Sequence, residues 1–150
     1  GAAISGEDTL TVTAVNDAPV NTVPATAQSG SEDTALVFSA ANGNALSVAD
    51  VDSASLTATI SVTQGSFLLG STTGLTVIGN GSGTVSLTGS PAAINAALEG
   101  STYTGTADYN GPATLTLSSS DGQAPATVST VPLTLAPVVD IANDTATTNE

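Results

Sequence analysis

The chain has 150 residues, 40% of them apolar, with only two phenylalanines and two tyrosines, and thirteen acidic side chains against no lysine, arginine or histidine, a net charge of −13. That length fits one ordinary domain with flanking pieces and a real core, but no salt bridge can form. Nucleic acid and anionic membrane surfaces are excluded as partners for want of basic patches, and a cation is the natural partner instead.

The missing residue types also narrow the chemistry. Without His, Lys, Cys or Arg there is no His-activated nucleophile, no Schiff-base lysine, no thiolate and no arginine clamp. Paired carboxylates could hydrolyse a glycoside, yet Phe38, Phe67, Tyr103 and Tyr109 scarcely supply a sugar platform. The expectation is a protein that is not an enzyme. With no cysteine, disulfide frameworks and thiolate zinc sites are absent, as suits a large exported protein whose folding does not rely on oxidation. Without lysine there is no Lys–Asn isopeptide staple either. No run of about 18 apolar residues offers a membrane span. "GAAISGEDTL" lacks the pattern of a signal peptide, so any export signal is expected elsewhere in a longer parent chain.

In chain order, the alternating run "TLTVTAV" (residues 9–15) leads into "VNDAPV", Val15 to Val20. Asn, Asp and Pro together read either as a turn or as a metal-holding hinge. "ALVFS" from Ala35 to Ser39 reads as a strand. In "LTATISV", Leu56, Ala58, Ile60 and Val62 fall on one face and Thr57, Thr59 and Ser61 on the other. "GLTVIG" from Gly74 to Gly79 and "TVSLT" from Thr84 to Thr88 alternate similarly. "GNGSG" between them is a hairpin turn and not a phosphate loop, since neither a helix pattern nor a lysine follows. "SPAAINAALEG" predicts one short helix, with Ser90 as N-cap, Pro91 in the first turn, Ile94 and Leu98 on one face and Gly100 as the stop. "ATLTLSS" from Ala113 to Ser119 is a strand. "TVSTVPLTL", Thr127 to Leu135, changes phase near Thr130 and contains Pro132, which predicts a bulged edge strand. Short strands punctuated by turns indicate an all-β, antiparallel sandwich.

The two ends echo each other. Ala18-Pro19-Val20 recurs 118 residues on as Ala136-Pro137-Val138, and Glu32 as Glu150. Such a spacing suggests a tandem period. Residues 1–17 would then be the last strand and linker of a preceding repeat, residues 18–136 one full repeat, and residues 137–150 the start of the next.

Calcium takes six to eight oxygens, largely carboxylates and carbonyls, and the acids sit at turn signals. They are Asp17 in "VNDAPV", Glu32 and Asp33 in "SEDT", Asp50 and Asp52 in "ADVDS", Asp108 with Asn110 in "DYNG", Asp121 in "SSDGQ", and Asp140 and Asp144 in "VVDIANDT". Loops of a sandwich gather at two poles, so these acids can meet there. Simpler readings stay open: Asp121-Gly122 as a hairpin turn, and Asp108 to Gly111 as an Asx-type turn with Tyr109 packed into the core. Glu7, Asp8 and Glu99 read as solvated surface. Asp50-x-Asp52 is not an EF-hand, because the twelfth loop position is Ser61 and no glycine occupies the sixth.

Taken in order, "VNDAPV", "SEDT", "VADVDS", "YTGTADYNG" and "TLTLSSSDG" resemble the cadherin-like, immunoglobulin-like repeats of large bacterial surface adhesins of the type I-secreted, RTX class, although the glycine-rich RTX nonapeptide is absent. The resemblance covers most of residues 18–136 and both ends. It implies a monomeric, extracellular spacer repeat that serves cell adhesion and biofilm formation, partnered by neighbouring repeats and by calcium. It further implies that Asp17, Asp50, Asp52 and Asp121 form the pole facing the previous repeat. Glu32, Asp108 and Asn110 would face the next, near Asp140 and Asp144. The second linker, "LAPVVD", lacks the Asn-Asp of the first, which favours the first pole as the calcium site. Two other roles compete: a calcium-dependent carbohydrate-binding module, or a metal-free accessory sandwich of a secreted hydrolase or S-layer protein.

Overall fold

Alternation of small β-branched and aliphatic residues with Thr and Ser dictates the architecture seen in the computed structural model, which describes residues 15–138. The strands are β1 (Val20–Thr22), β2 (Gln28–Ser31), β3 (Leu36–Phe38), β4 (Ser47–Ala49), β5 (Leu56–Val62), β6 (Gly65–Leu68), β7 (Thr76–Ile78) and β8 (Thr84–Gly89). Helix α1 (Pro91–Leu98) follows, and then β9 (Ser101–Gly105), β10 (Gly111–Ser120) and β11 (Thr127–Ala136). One sheet runs β2-β11-β10-β5-β8-β7, a second β3-β9-β6, and β1 pairs with β4 alone. The all-β sandwich with one short helix is the expected class. A single pair departs from the antiparallel pattern: β2 lies parallel to β11, with Leu133 opposite Gln28 and Ala136 opposite Ser31.

Period-two burial fills the core. Leu56, Ala58 and Ile60 of β5, Val85 and Leu87 of β8, Leu115 and Leu117 of β10, and Val131, Leu133 and Leu135 of β11 point inward. Three of the four aromatics, Phe38, Phe67 and Tyr103, supply the bulk from the smaller sheet and are fully buried. The Phe38 and Phe67 rings are tilted, with centroids 6.2 Å apart. Tyr103 spends its hydroxyl on the carbonyls of Thr63 and Gln64, at 2.9 and 2.7 Å.

The helix forms as its sequence predicts. Ser90 Oγ accepts the Ala93 N–H at 3.1 Å, Pro91 opens the first turn, and Gly100 adopts the left-handed conformation at φ +78°. Ile94, Ala97 and Leu98 bury one face. Asn95 ties the helix to β4, its amide bonding Val48 N and Val48 O at 2.8 and 2.9 Å.

The expected bulge in β11 is not there. Thr127 to Leu135 pair with β10 in unbroken register, and inward positions alternate without a phase change, leaving Val128 exposed. Exposure of one valine costs little, so the apolar pattern misled. Nor is β11 an edge strand, since it lies between β2 and β10, but Pro132 escapes both ladders: its partner Thr114 directs both backbone groups to Thr63. Pro132 therefore faces away from β10, just before β2 joins at Leu133. A residue without an N–H loses nothing there.

Replacing Tyr103 with Phe keeps the ring and strips the donor from two carbonyls. Urea denaturation should show a loss of about 1–3 kcal/mol. A loss within about 0.3 kcal/mol would mean that water takes the hydroxyl's place.

Candidate metal centre

No acid occupies a strand or the helix among the described residues; all lie in the connections. β10 carries Asp108 and Asn110 just before its first residue and Asp121 just after its last, and its ten residues span about 30 Å. The acids that flank β10 thus lie at its two ends.

At the β10 start, Glu32 leaves β2 with its backbone N–H on Ala136 O at 3.0 Å. The residue is 8% exposed. Oε1 accepts the Val138 N–H at 3.2 Å, and Oε2 accepts Asn110 Nδ2 at 3.3 Å. Asp33 sits in the tight turn closed by Thr34 N and Ser31 O. Asp108 takes φ +63°, a left-handed conformation that Asp tolerates better than most residues. One carboxylate oxygen from each of Glu32, Asp33 and Asp108 lies within 4.8 Å of the others. Oxygens bound at about 2.3–2.6 Å to a shared calcium ion fall within such a spacing.

At the β10 end, Asp121 Oδ2 accepts Asn16 Nδ2 at 2.7 Å, and Oδ1 accepts the N–H groups of Gln123 and Ala124 at 2.8 and 2.9 Å. These bonds, that from Asn16 foremost, hold the Asp121 carboxyl below the usual carboxylate range. Asp50 Oδ1 accepts the N–H groups of Asp52 and Ser53 at 2.7 and 2.8 Å, and Asp52 Oδ2 accepts the Asp17 N–H at 2.6 Å. Among the described residues, Asp50 Oδ2 is buried with no hydrogen-bond partner. Asp50 and Asp17 line a surface cavity of about 360 Å³ walled by Ala18, Val20, Ala49 and Val51. A buried, unpaired carboxylate oxygen is costly, and a hard cation would satisfy it.

The structure therefore brings Asp17, Asp50, Asp52 and Asp121 to one end and Glu32, Asp108 and Asn110 to the other. Asp140 and Asp144 lie outside the described residues, as do Glu7 and Asp8. Asp33, counted from sequence among the acids at turns but assigned to neither pole, completes the tighter group. Asn16, read from sequence only as part of the "VNDAPV" hinge, binds Asp121. The linker sequence favours the first pole, yet among the described residues the close set of three acids is at Glu32. The reason is that backbone N–H groups and Asn16 already engage Asp121, Asp52 and one oxygen of Asp50. Glu99 is not merely solvated, because both its oxygens accept the Ala40 N–H, at 3.1 and 3.2 Å. Tyr109, the aromatic beside Asp108, is half-buried against the core and its hydroxyl donates to Pro112 O.

Comparison with protein-family models and with curated protein sequences yields no match. Among the described residues no helix is long and apolar enough to cross a membrane.

Asn16→Ala should raise the Asp121 titration midpoint, read from the side-chain carboxyl carbon by NMR in metal-free buffer. The depressed value means that Asp121 contributes stability above the ordinary carboxylate range and loses it as pH falls through the lowered midpoint. The variant should accordingly lose less stability between neutral and acidic pH than the parent does. An unmoved midpoint would assign the depression to the backbone N–H groups alone.

Proposed function

We propose that this chain is a non-catalytic spacer repeat of a long extracellular bacterial surface adhesin, stiffened by calcium at both ends of the sandwich so that it projects a terminal binding module from the cell. The observation that carries this reading is the gathering of Asp17, Asp50, Asp52 and Asp121 at one end of β10 and of Glu32, Asp33 and Asp108 at the other, in a chain without one basic residue. In it, residues 18–136 are the repeat, preceded by the strand and linker of one neighbour and followed by the start of another.

Glu32, Asp33 and Asp108 would hold the ion at one end, with the Asn110 amide beside them. Asp50, through its unpaired oxygen, would do so at the other, with Asp17, Asp52 and Asp121 close by. Bound calcium supplies charge neutralisation and oxygen coordination across loops that otherwise repel. The protein's part is to keep those loops fixed: Asp50 and Asp121 order their own turns, and Asp52 grips the backbone of Asp17. Val20 and Val51, 59% and 84% exposed, flank Asp17 and Asp50. Such an apolar and acidic surface suits a neighbouring repeat packed over shared ions. A calcium-dependent carbohydrate site is less well supported, since Tyr109 is half-buried against the core.

Thermal melts test this. With calcium at about a hundred times a Kd of order 10⁻⁴ M, the midpoint should rise by roughly 10 °C over chelator, and magnesium should move it far less. Superimposable curves would sink the calcium brace and leave a metal-free accessory sandwich. Asp33→Asn and Asp50→Asn should each remove part of the calcium-dependent rise; a rise untouched by one of them clears that end.

A further inference from the structure

We propose that Glu32 is a clasp that fixes the direction in which the chain leaves the sandwich after β11, and that it does so without a metal. The basis is the placement of its two ends around one proline. The Glu32 N–H donates to Ala136 O at 3.0 Å, just before Pro137. The Glu32 carboxylate accepts the Val138 N–H at 3.2 Å, just after it. One residue thus grips the departing chain on both sides of Pro137.

The grip is preorganised at each atom. Glu32 is more than nine-tenths buried, so its side chain has little room to swing. Its other oxygen is pinned by Asn110 Nδ2 at 3.3 Å, from the loop between β9 and β10. Pro137 has a fixed φ and no N–H of its own, and it confines Ala136 to extended backbone. Val138 offers the first free donor beyond the strand, and that donor is taken. A carboxylate oxygen has two lone pairs, so accepting this N–H leaves capacity for a cation as well. The clasp therefore acts with or without ions, and it stands whether or not calcium binds.

Its consequence for a tandem array rests on the repeat reading above. Ala136-Pro137-Val138 repeats Ala18-Pro19-Val20, and Val20 opens β1. The connection between two sandwiches is then Pro137 alone, and Glu32 sets its angle. A counterpart exists at the other end, where Thr127 Oγ1 donates to Pro19 O at 2.6 Å.

The test is amide hydrogen exchange of the ¹⁵N-labelled 150-residue chain in excess chelator, read by NMR at Val138. The native chain should protect the Val138 N–H at least about tenfold over its unstructured rate, and Glu32→Ala should abolish that protection while Leu115 and Leu133 stay protected. Glu32→Gln retains a carbonyl acceptor and should keep Val138 within about threefold of the native rate. An unprotected Val138 in the native chain overturns the clasp outright, whatever the variants do. So does unchanged protection in Glu32→Ala, or a Glu32→Gln variant that exchanges as fast as Glu32→Ala. Because chelator is present throughout, failure of the calcium reading and failure of the clasp are separate results.

Discussion

Thirteen carboxylates and no side-chain cation leave this chain with few ways to settle its charge, and the rest of the structure follows from how it does so. Backbone N–H groups act as the counter-dipoles. Asp50 takes those of Asp52 and Ser53, Asp121 those of Gln123 and Ala124, Asp52 that of Asp17, Glu99 that of Ala40, and Glu32 that of Val138. Charge-assisted bonds of this kind are stronger than neutral ones. They also need N–H groups that no ladder has claimed, and the connections offer these. The acids are thereby driven to the loops, and in a sandwich the loops lie at the two ends.

The strands are correspondingly free of charge, and the core is built from Leu, Ile, Val and Ala with three buried aromatics. Lysines, the usual guard against edge-to-edge pairing, are unavailable. The sheet edges use other means: β2 and β7 are only four and three residues long, and Pro132 sits where β11 is open. Asn21 reaches over from β1 and donates to the carbonyls of Leu117 and Thr127, at 3.0 and 2.9 Å. Side-chain amides and hydroxyls here do the tying that ion pairs do elsewhere.

Much of the fold was legible because period-two alternation maps directly onto burial. β5 was readable to the residue, β8 and β10 nearly so, and the helix was announced by Ser90, Pro91 and Gly100. Strands β1, β2, β4, β6 and β9 were not recognised. They are three to five residues long and rich in Ser, Thr, Gly or Asn, so their pairing comes from partners already in place and not from local pattern. β2 is the clearest instance: "QSGS" carries no strand signal, and it forms because β11 offers an unpaired edge from Leu133 onward. The candidate site was legible as residue types at turns. Its geometry was not, because Glu32 and Asp108 are 76 positions apart and only the closing of β2 on β11 and of β10 on β11 brings them together.

By itself the sequence determined the side chains available: no lysine, arginine or histidine to pair with an acid, uncharged alternating runs, and acids placed largely at turn signals. Those are properties of side-chain types and their spacing, and they are fixed before the chain folds. Tertiary structure decided which acids share an end, which of their oxygens are already taken, and that Glu32 closes on Val138. These depend on strand register across long separations, where a shift of a single residue turns each side chain to the opposite face.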